Sequence, residues 1–320
     1  MPSSTLVLSV GIVVLSAFGS SVSAQSYSYT LQDSYIGTTF FDNFNIFTDS
    51  DPTHGFVDYV SQDVASSNGL IGFDQGTPKW GVDSTNVIAN TSVGRQSVRL
   101  EGKTNYNHGL FVADIKHMPG AACGVWPAFW TLGDGTWPAN GEVDIIEGVN
   151  LQSGNQYAAH TAPSCTMSFL DQSGPAYSYD CAVSTGGATG CSVLSGQAND
   201  YGTNFNTNGG GVYAMQWTSG FLKLWFFPRE AIPASITSGT PNVCDFGTPT
   251  VNFDGASCDI DSHFANHRII FDTTFCGDWA GSVYSSSSCP ASTDGSNSYV
   301  ISMSQMCSTD TMQMHQLCGQ

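Results

Sequence analysis

Apolar and polar residues alternate over short distances along most of this chain, and Gly, Ser, Thr, Asn and Asp interrupt the alternation every several residues. Between these breaks the runs are rich in Val, Ile, Phe, Tyr and Trp, residue types that fit a pleated, half-buried surface. Strands are expected at residues 98–102, 109–115, 125–132, 142–146, 212–217, 221–227 and 269–271. No window keeps a helical period long enough to predict a principal helix. Many short strands at such spacing predict an all-β protein, a two-sheet antiparallel β-sandwich of jelly-roll type. Low complexity is confined to residues 209–211 and 285–288, and no internal repeat stands out. One large domain over residues 25–320 is therefore expected. After about Ser302 the composition shifts toward Met, Gln and Cys, with four of the eight methionines, and this tail does not read as a strand.

The first residues follow another pattern. Residues 6–18 form an uncharged apolar run, and the small residues at Val22-x-Ala24 fit a signal-peptidase site. Residues 1–24 are accordingly expected to be a signal peptide, with the mature chain starting near Gln25. The run is shorter than the roughly 20 residues of a spanning helix, so stable membrane association is not expected. Export gives meaning to the ten cysteines at 123, 165, 181, 191, 244, 258, 276, 289, 307 and 318. Their even count predicts disulfides, and the absence of any C-x-x-C pair argues against structural zinc. Asn90-Thr91-Ser92 is a glycosylation sequon. A formal charge of −18 with only eight basic residues excludes nucleic acid as a partner, since phosphate contacts need clustered Lys and Arg. A neutral partner is compatible with it. The 12% aromatic content supplies flat surfaces for sugar rings, although a sandwich core also consumes aromatics.

Chemistry is concentrated in one hexapeptide. Only four of the 26 acidic residues are glutamates, and two of those four stand in Glu142-Val143-Asp144-Ile145-Ile146-Glu147. On a strand Glu142 and Asp144 share a face while Val143 and Ile145 enter the other. Strict alternation would send Glu147 to the wrong side, but one extra residue near Ile145-Ile146 in a β-bulge restores it, and bulges are common beside active sites. Three carboxylates on one face repel, which raises at least one pKa and keeps a proton on one carboxyl near neutral pH. A retaining glycosidase needs that pair: an ionised carboxylate, here Glu142, attacks the anomeric carbon, and a protonated one, here Glu147, protonates the leaving oxygen. Asp144 would hydrogen-bond the nucleophile. An acidic strand face can also be merely solvated, or hold Ca²⁺. The tryptophans Trp126, Trp130 and Trp137, three of the chain's seven, fall within twelve residues of each other just before the motif and favour a sugar site.

With these residues in view, the chain resembles glycoside hydrolase family 16, in particular the fungal laminarinase-like endo-1,3(4)-β-glucanases. The hexapeptide matches that family's bulged signature, and similar segments extend over roughly residues 27–292, among them Lys79-Trp80-Gly81-Val82-Asp83, Gly148-Val149-Asn150, His160-Thr161 and Cys276-Gly277-Asp278-Trp279. The resemblance implies a jelly roll with a concave sheet and sugar cleft, and retention of configuration through a covalent glycosyl-enzyme. It implies that Trp126, Trp130 and Trp137 line the donor side of the cleft, that His160 lies near the acid/base, and that Trp279 closes one end unless it is a core residue. It implies a β-glucan polysaccharide as partner, no cofactor and no metal, a monomer, and a secreted location outside the cell or in its wall. Two departures stand out: relatives end on an aromatic-rich strand that the Met- and Gln-rich tail does not match, and Leu151 follows Asn150 where an acidic residue is frequent. Transglycosylation and a lectin-like binding module are the competing functions. The bulged spacing favours hydrolysis over the first, and two retained glutamates with Asp144 between them speak against the second.

Overall fold

The computed structural model describes residues 29–89, 92–183, 190–290 and, as backbone alone, 311–319. The leader, its cleavage point near Gln25, Asn90 of the sequon and Cys307 lie outside these. Two eight-stranded sheets face each other. The first runs β16 (Val251–Asp254), β15 (Phe221–Pro228), β14 (Gly211–Thr218), β8 (Gly109–His117), β18 (Thr311–Gly319), β5 (Thr77–Gly81), β4 (Ile71–Asp74), with β1 (Asp33–Ser34) also paired to β18. The second, which carries the hexapeptide, runs β12 (Ala176–Ser178), β13 (Cys191–Leu194), β11 (Gln156–His160), β10 (Glu142–Glu147), β9 (Val125–Gly133), β17 (His267–Phe275), β7 (Arg99–Gly102), β2 (Phe44–Phe47). Both sheets are antiparallel throughout; among the described residues the small pair β3 (Val57–Tyr59) and β6 (Arg95–Ser97) and the isolated bridge Thr161–Ala182 are parallel. The helical segments among the described residues are short, the longest being the seven-residue 3-10 turn Gly37–Asn43. None is long and apolar enough to cross a membrane. Every strand expected from the alternation is present, as is the two-sheet antiparallel architecture.

Alternation explains the core. Val143 on β10, Phe129 on β9, Phe271 on β17 and Trp217 on β14 turn into the space between the sheets and are buried. Phe129 and Phe271 stack with ring centroids 4.5 Å apart, so each contributes about 1.5–3 kcal/mol of burial plus a stacking increment. A second apolar layer covers the outer face of the first sheet, where Val112, Val212, Trp225 and Phe227 pack against Phe246, Ile232 and Ile236. One sheet is thus buried on both faces, and the other is free to present its outer face as a cleft.

Two expectations are corrected. The tail does contain a strand: β18 pairs with β8 on one side and β5 on the other. Its composition is a weak strand signal, but a gap flanked by two strands offers backbone partners on both sides, and the pairing takes the segment despite its modest propensity. Nor do all cysteines pair. Cys123–Cys289, Cys165–Cys258 and Cys181–Cys191 are disulfides, whereas Cys244 is an exposed thiol and Cys276 a buried one.

Candidate active site

The hexapeptide β10 lies in the middle of the cleft sheet, between β9 and β11. Its register against β9 pairs Glu142 with Leu132 and Asp144 with Trp130, then shifts, so that Ile146 faces Phe129 and Glu147 faces Ala128. Ile145 is the extra residue. Both isoleucines turn into the core, at 2% and 0% exposure, and all three carboxylates end on the cleft face. Gly141, directly before Glu142, has φ +79°, and a Cβ there would meet the His263 carbonyl at 2.4 Å. Glycine is therefore required for the hairpin to enter β10 at this height.

The cleft has a volume of about 350 Å³, with the three carboxylates on its floor and Trp126, Trp130 and Trp137 around them. Each tryptophan also holds a carboxylate. Trp137 Nε1 donates to Glu142 Oε2 at 2.8 Å, Trp126 Nε1 donates to Glu147 Oε1 at 2.8 Å, and Trp130 Nε1 donates to Asp272 Oδ1 at 2.7 Å. Trp137 is 49% exposed, so its indole serves as clamp and as open platform together. Because Oε1 of Glu147 accepts from Trp126, a proton on this carboxyl belongs on Oε2.

Burial raises the pKa of all three carboxyls. Glu142 is pushed up to about 8 by burial and by the charge of Asp144, against the opposing pull of His160, the Trp137 N–H and Arg99. Glu147 is driven well above the carboxylate range by burial, Asp144 and Glu142, with the Trp126 N–H and His160 opposing. Asp144 is raised by burial and by Asp272. Buried carboxyls this close together do not all ionise, so a proton stays in the cluster near neutral pH.

His160 stands on β11 beside the carboxylate cluster, and its charge acts on both Glu142 and Glu147. It pairs across the ladder with Glu142, and its Nε2 lies 3.2 Å from Asp144 Oδ2 and 3.7 Å from Glu142 Oε1. The 3.2 Å approach lacks hydrogen-bond alignment and leaves Asp144 Oδ2 without a hydrogen-bond partner. The ladder register fixes the imidazole opposite Glu142. The ligand atoms of Glu142, Asp144 and His160 lie within 4.8 Å of one another, the set here that could grip a cation. Trp279 packs edge-on against Trp126 at 5.5 Å and is half-buried, outside the core, while its neighbour Asp278 lines the cleft.

Several site residues escaped sequence reasoning. Asp272 on β17 accepts from Trp130 and from the Tyr59 hydroxyl at 2.9 Å. Arg99 stacks on Phe47 and Trp130, 4.4 and 5.2 Å from the ring centres, and is bound by Glu101. Asp51 and Thr274 line the far end, joined by a 2.6 Å hydrogen bond. A signal existed for Asp272, since it interrupts an apolar run just past the strand expected at 269–271.

A sequence profile described as the XgeA-like catalytic domain of family 16 matches residues 44–314. The chain belongs to glycoside hydrolase family 16. Among its family 16 relatives, a probable endo-1,3(4)-β-glucanase of Aspergillus niger is 49% identical over 93% of this chain and 40% of its own length. The Aspergillus relatives are longer proteins, and this chain spans less than half of each. Among solved structures, an elongating family 16 β-1,3-glucosyltransferase is 50% identical, with a TM-score of 0.85 over 91% of this chain and 99% of that one. Laminarinase 16A of Phanerochaete chrysosporium, solved with 6-O-glucosyl-laminaritriose in donor and acceptor sites, is 40% identical, with a TM-score of 0.83 over 92% and 99%.

Proposed function

We propose that this chain is a secreted, retaining endo-β-glucanase that cleaves β-1,3 and mixed β-1,3/1,4 linkages of laminarin- and lichenan-type glucans. Glu142 attacks the anomeric carbon as the bond to the leaving oxygen breaks, and Glu147 delivers its Oε2 proton to that oxygen. Glu147, now ionised, then takes a proton from water, whose oxygen displaces Glu142 and releases the sugar with its configuration retained. Asp144 and His160 steady the Glu142 end of the site, and Trp126, Trp130 and Trp137 give the sugar its walls. The observation that carries the reading is the placing of the two glutamates: the bulge brings both onto one tryptophan-lined cleft, where burial and the charge of Asp144 raise both carboxyls, so that a proton can be kept there for the leaving oxygen. The likeness to endo-1,3(4)-β-glucanases and to a laminarinase supports the substrate class. Three disulfides and the apolar leader support export, from a single catalytic domain that begins near Gln25.

A second reading has its own observation: the glucosyltransferase that is 50% identical over nearly its whole length favours transfer of the glycosyl group to another sugar. Incubation of the secreted protein with laminarin, lichenan and xyloglucan, with products sized over time, separates the two. Shorter oligosaccharides alone support hydrolysis, products longer than the substrate support transfer, and an unchanged laminarin profile refutes both.

A further inference from the structure

The bulge that turns Glu147 toward the cleft has a cost for the backbone, because an extra residue loses its ladder partners. A single side chain meets that cost. The Glu147 N–H donates to Asn155 Oδ1 at 2.9 Å, and Asn155 Nδ2 donates to the Ile145 carbonyl at 2.8 Å. The amide of Asn155 thus spans the bulge from the residue that is inserted to the residue that is displaced. Asn155 is fully buried and is not among the residues lining the cleft.

Asn155 is itself fixed on both sides. Its N–H donates to Asp200 Oδ1 at 3.2 Å, and its carbonyl accepts from the Ser195 N–H at 2.8 Å. Asp200 is fully buried, and its carbonyl accepts from the Tyr213 hydroxyl on β14 of the facing sheet. The next residue, Tyr201, lies against Gly148, where an added Cβ would stand 2.7 Å from Tyr201 Cζ. A chain of contacts therefore runs from the facing sheet through Asp200 and Asn155 to the backbone on which Glu147 is mounted.

We infer that Asn155 is a positioning residue for the general acid, a buried clamp that sets the aim of Glu147 by holding the bulge. This rests on the reading of Glu147 as acid/base. Loss of the clamp relaxes the bulge and moves the Glu147 carboxyl, while Glu142, on the unbulged part of β10, stays in register with Leu132 and His160. Protonation of the leaving oxygen then suffers and nucleophilic attack does not.

Two substrates distinguish this from a merely structural role. Laminarin has a poor leaving group that needs the proton, whereas the 2,4-dinitrophenyl β-glycoside of laminaribiose departs without one. In N155A, kcat/KM on laminarin is expected to fall about a hundredfold, as for a displacement of ~1 Å. On the dinitrophenyl glycoside it is expected to stay within about tenfold of wild type, because general-acid assistance is not needed there. Equal losses on both substrates, or no loss on either, would overturn the proposal. If N155A does not accumulate as folded protein, N155D gives the same comparison, since it keeps an acceptor for the Glu147 N–H, loses the amide donor to Ile145 and adds a buried carboxyl beside Asp200; a selective loss on laminarin is again expected, and an equal or absent one refutes the clamp. A wild type that turns over neither substrate would sink the glycosidase reading, and the clamp's catalytic role with it.

Discussion

Replacing Glu142 by Gln should make the protein more stable, and only above the pH at which a free glutamate ionises. The side chain is 15% exposed, and its folded pKa of about 8 stands against an ordinary value of 4.5. Burial is the main cause, with the charge of Asp144 second. The folded state therefore holds this proton more tightly than the unfolded chain, so the stabilisation is complete below about pH 4.5 and disappears as pH rises through about 8. At about 1.4 kcal/mol per pK unit the gap amounts to about 5 kcal/mol, of which about 3 kcal/mol is lost by pH 7. Glutamine has nearly the same shape, can still accept from Trp137, and does not titrate. Glu142→Gln and wild type should melt together near pH 4.5, and the variant should melt higher at pH 7 by roughly 6 °C, taking about 2 °C per kcal/mol for a domain of this size. Glu142→Gln should meanwhile have lost hydrolysis, an exchange of activity for stability that strained sites commonly show. A melting difference that is the same at both pH values, or that favours wild type at pH 7, would show that Glu142 is not held against its ionisation and would refute the reasoning.

Three further outcomes are expected. Trp126→Phe removes the N–H that lowers the Glu147 pKa, so the alkaline limb of the kcat/KM profile should move to higher pH; a limb that stays or moves down contradicts the pairing. Ile146→Ala keeps the residue count of the bulge and opens a cavity in the core, so urea denaturation should show a loss of about 2–5 kcal/mol while the pH optimum stays in place. A thiol reagent applied to native protein should modify Cys244 and spare Cys276, which is buried with its pKa raised to about 11, until the protein is unfolded; rapid labelling of Cys276 in the native state would contradict its burial.

The hexapeptide was legible because strand geometry converts spacing into facing. Glu142 and Asp144 share a parity, and Glu147 can join them only through an inserted residue, which the register shift at Ile145 supplies. What stayed hidden comes from parts of the chain with no local signature. Asp272 reaches Trp130 across 142 positions of sequence, and Asn155 acts on the bulge through its amide and bears no charge to draw attention. Sequence marks the tryptophans as platforms for sugar, but that their indole N–H groups bind three carboxylates is invisible there, because a hydrogen-bond direction is a property of the fold. The strand β18 is hidden for a related reason, as its pairing is imposed by neighbours and not by its own composition.

The place of β18 bears on how the protein comes to be made. It lies between β8 and β5, both translated far earlier, and it also binds β1. Until it emerges, the growing chain carries two open strand edges that face each other across an unfilled slot, each able to recruit a foreign strand. The first sheet cannot close progressively along the message; it must wait, with its apolar faces incompletely covered, for a segment whose contacts are almost all distant in sequence, the slowest kind to form. A nascent chain of this architecture is thus a natural client for a holding factor, and a shortened chain that stops before residue 311 would retain every carboxylate of the cleft yet leave that slot open.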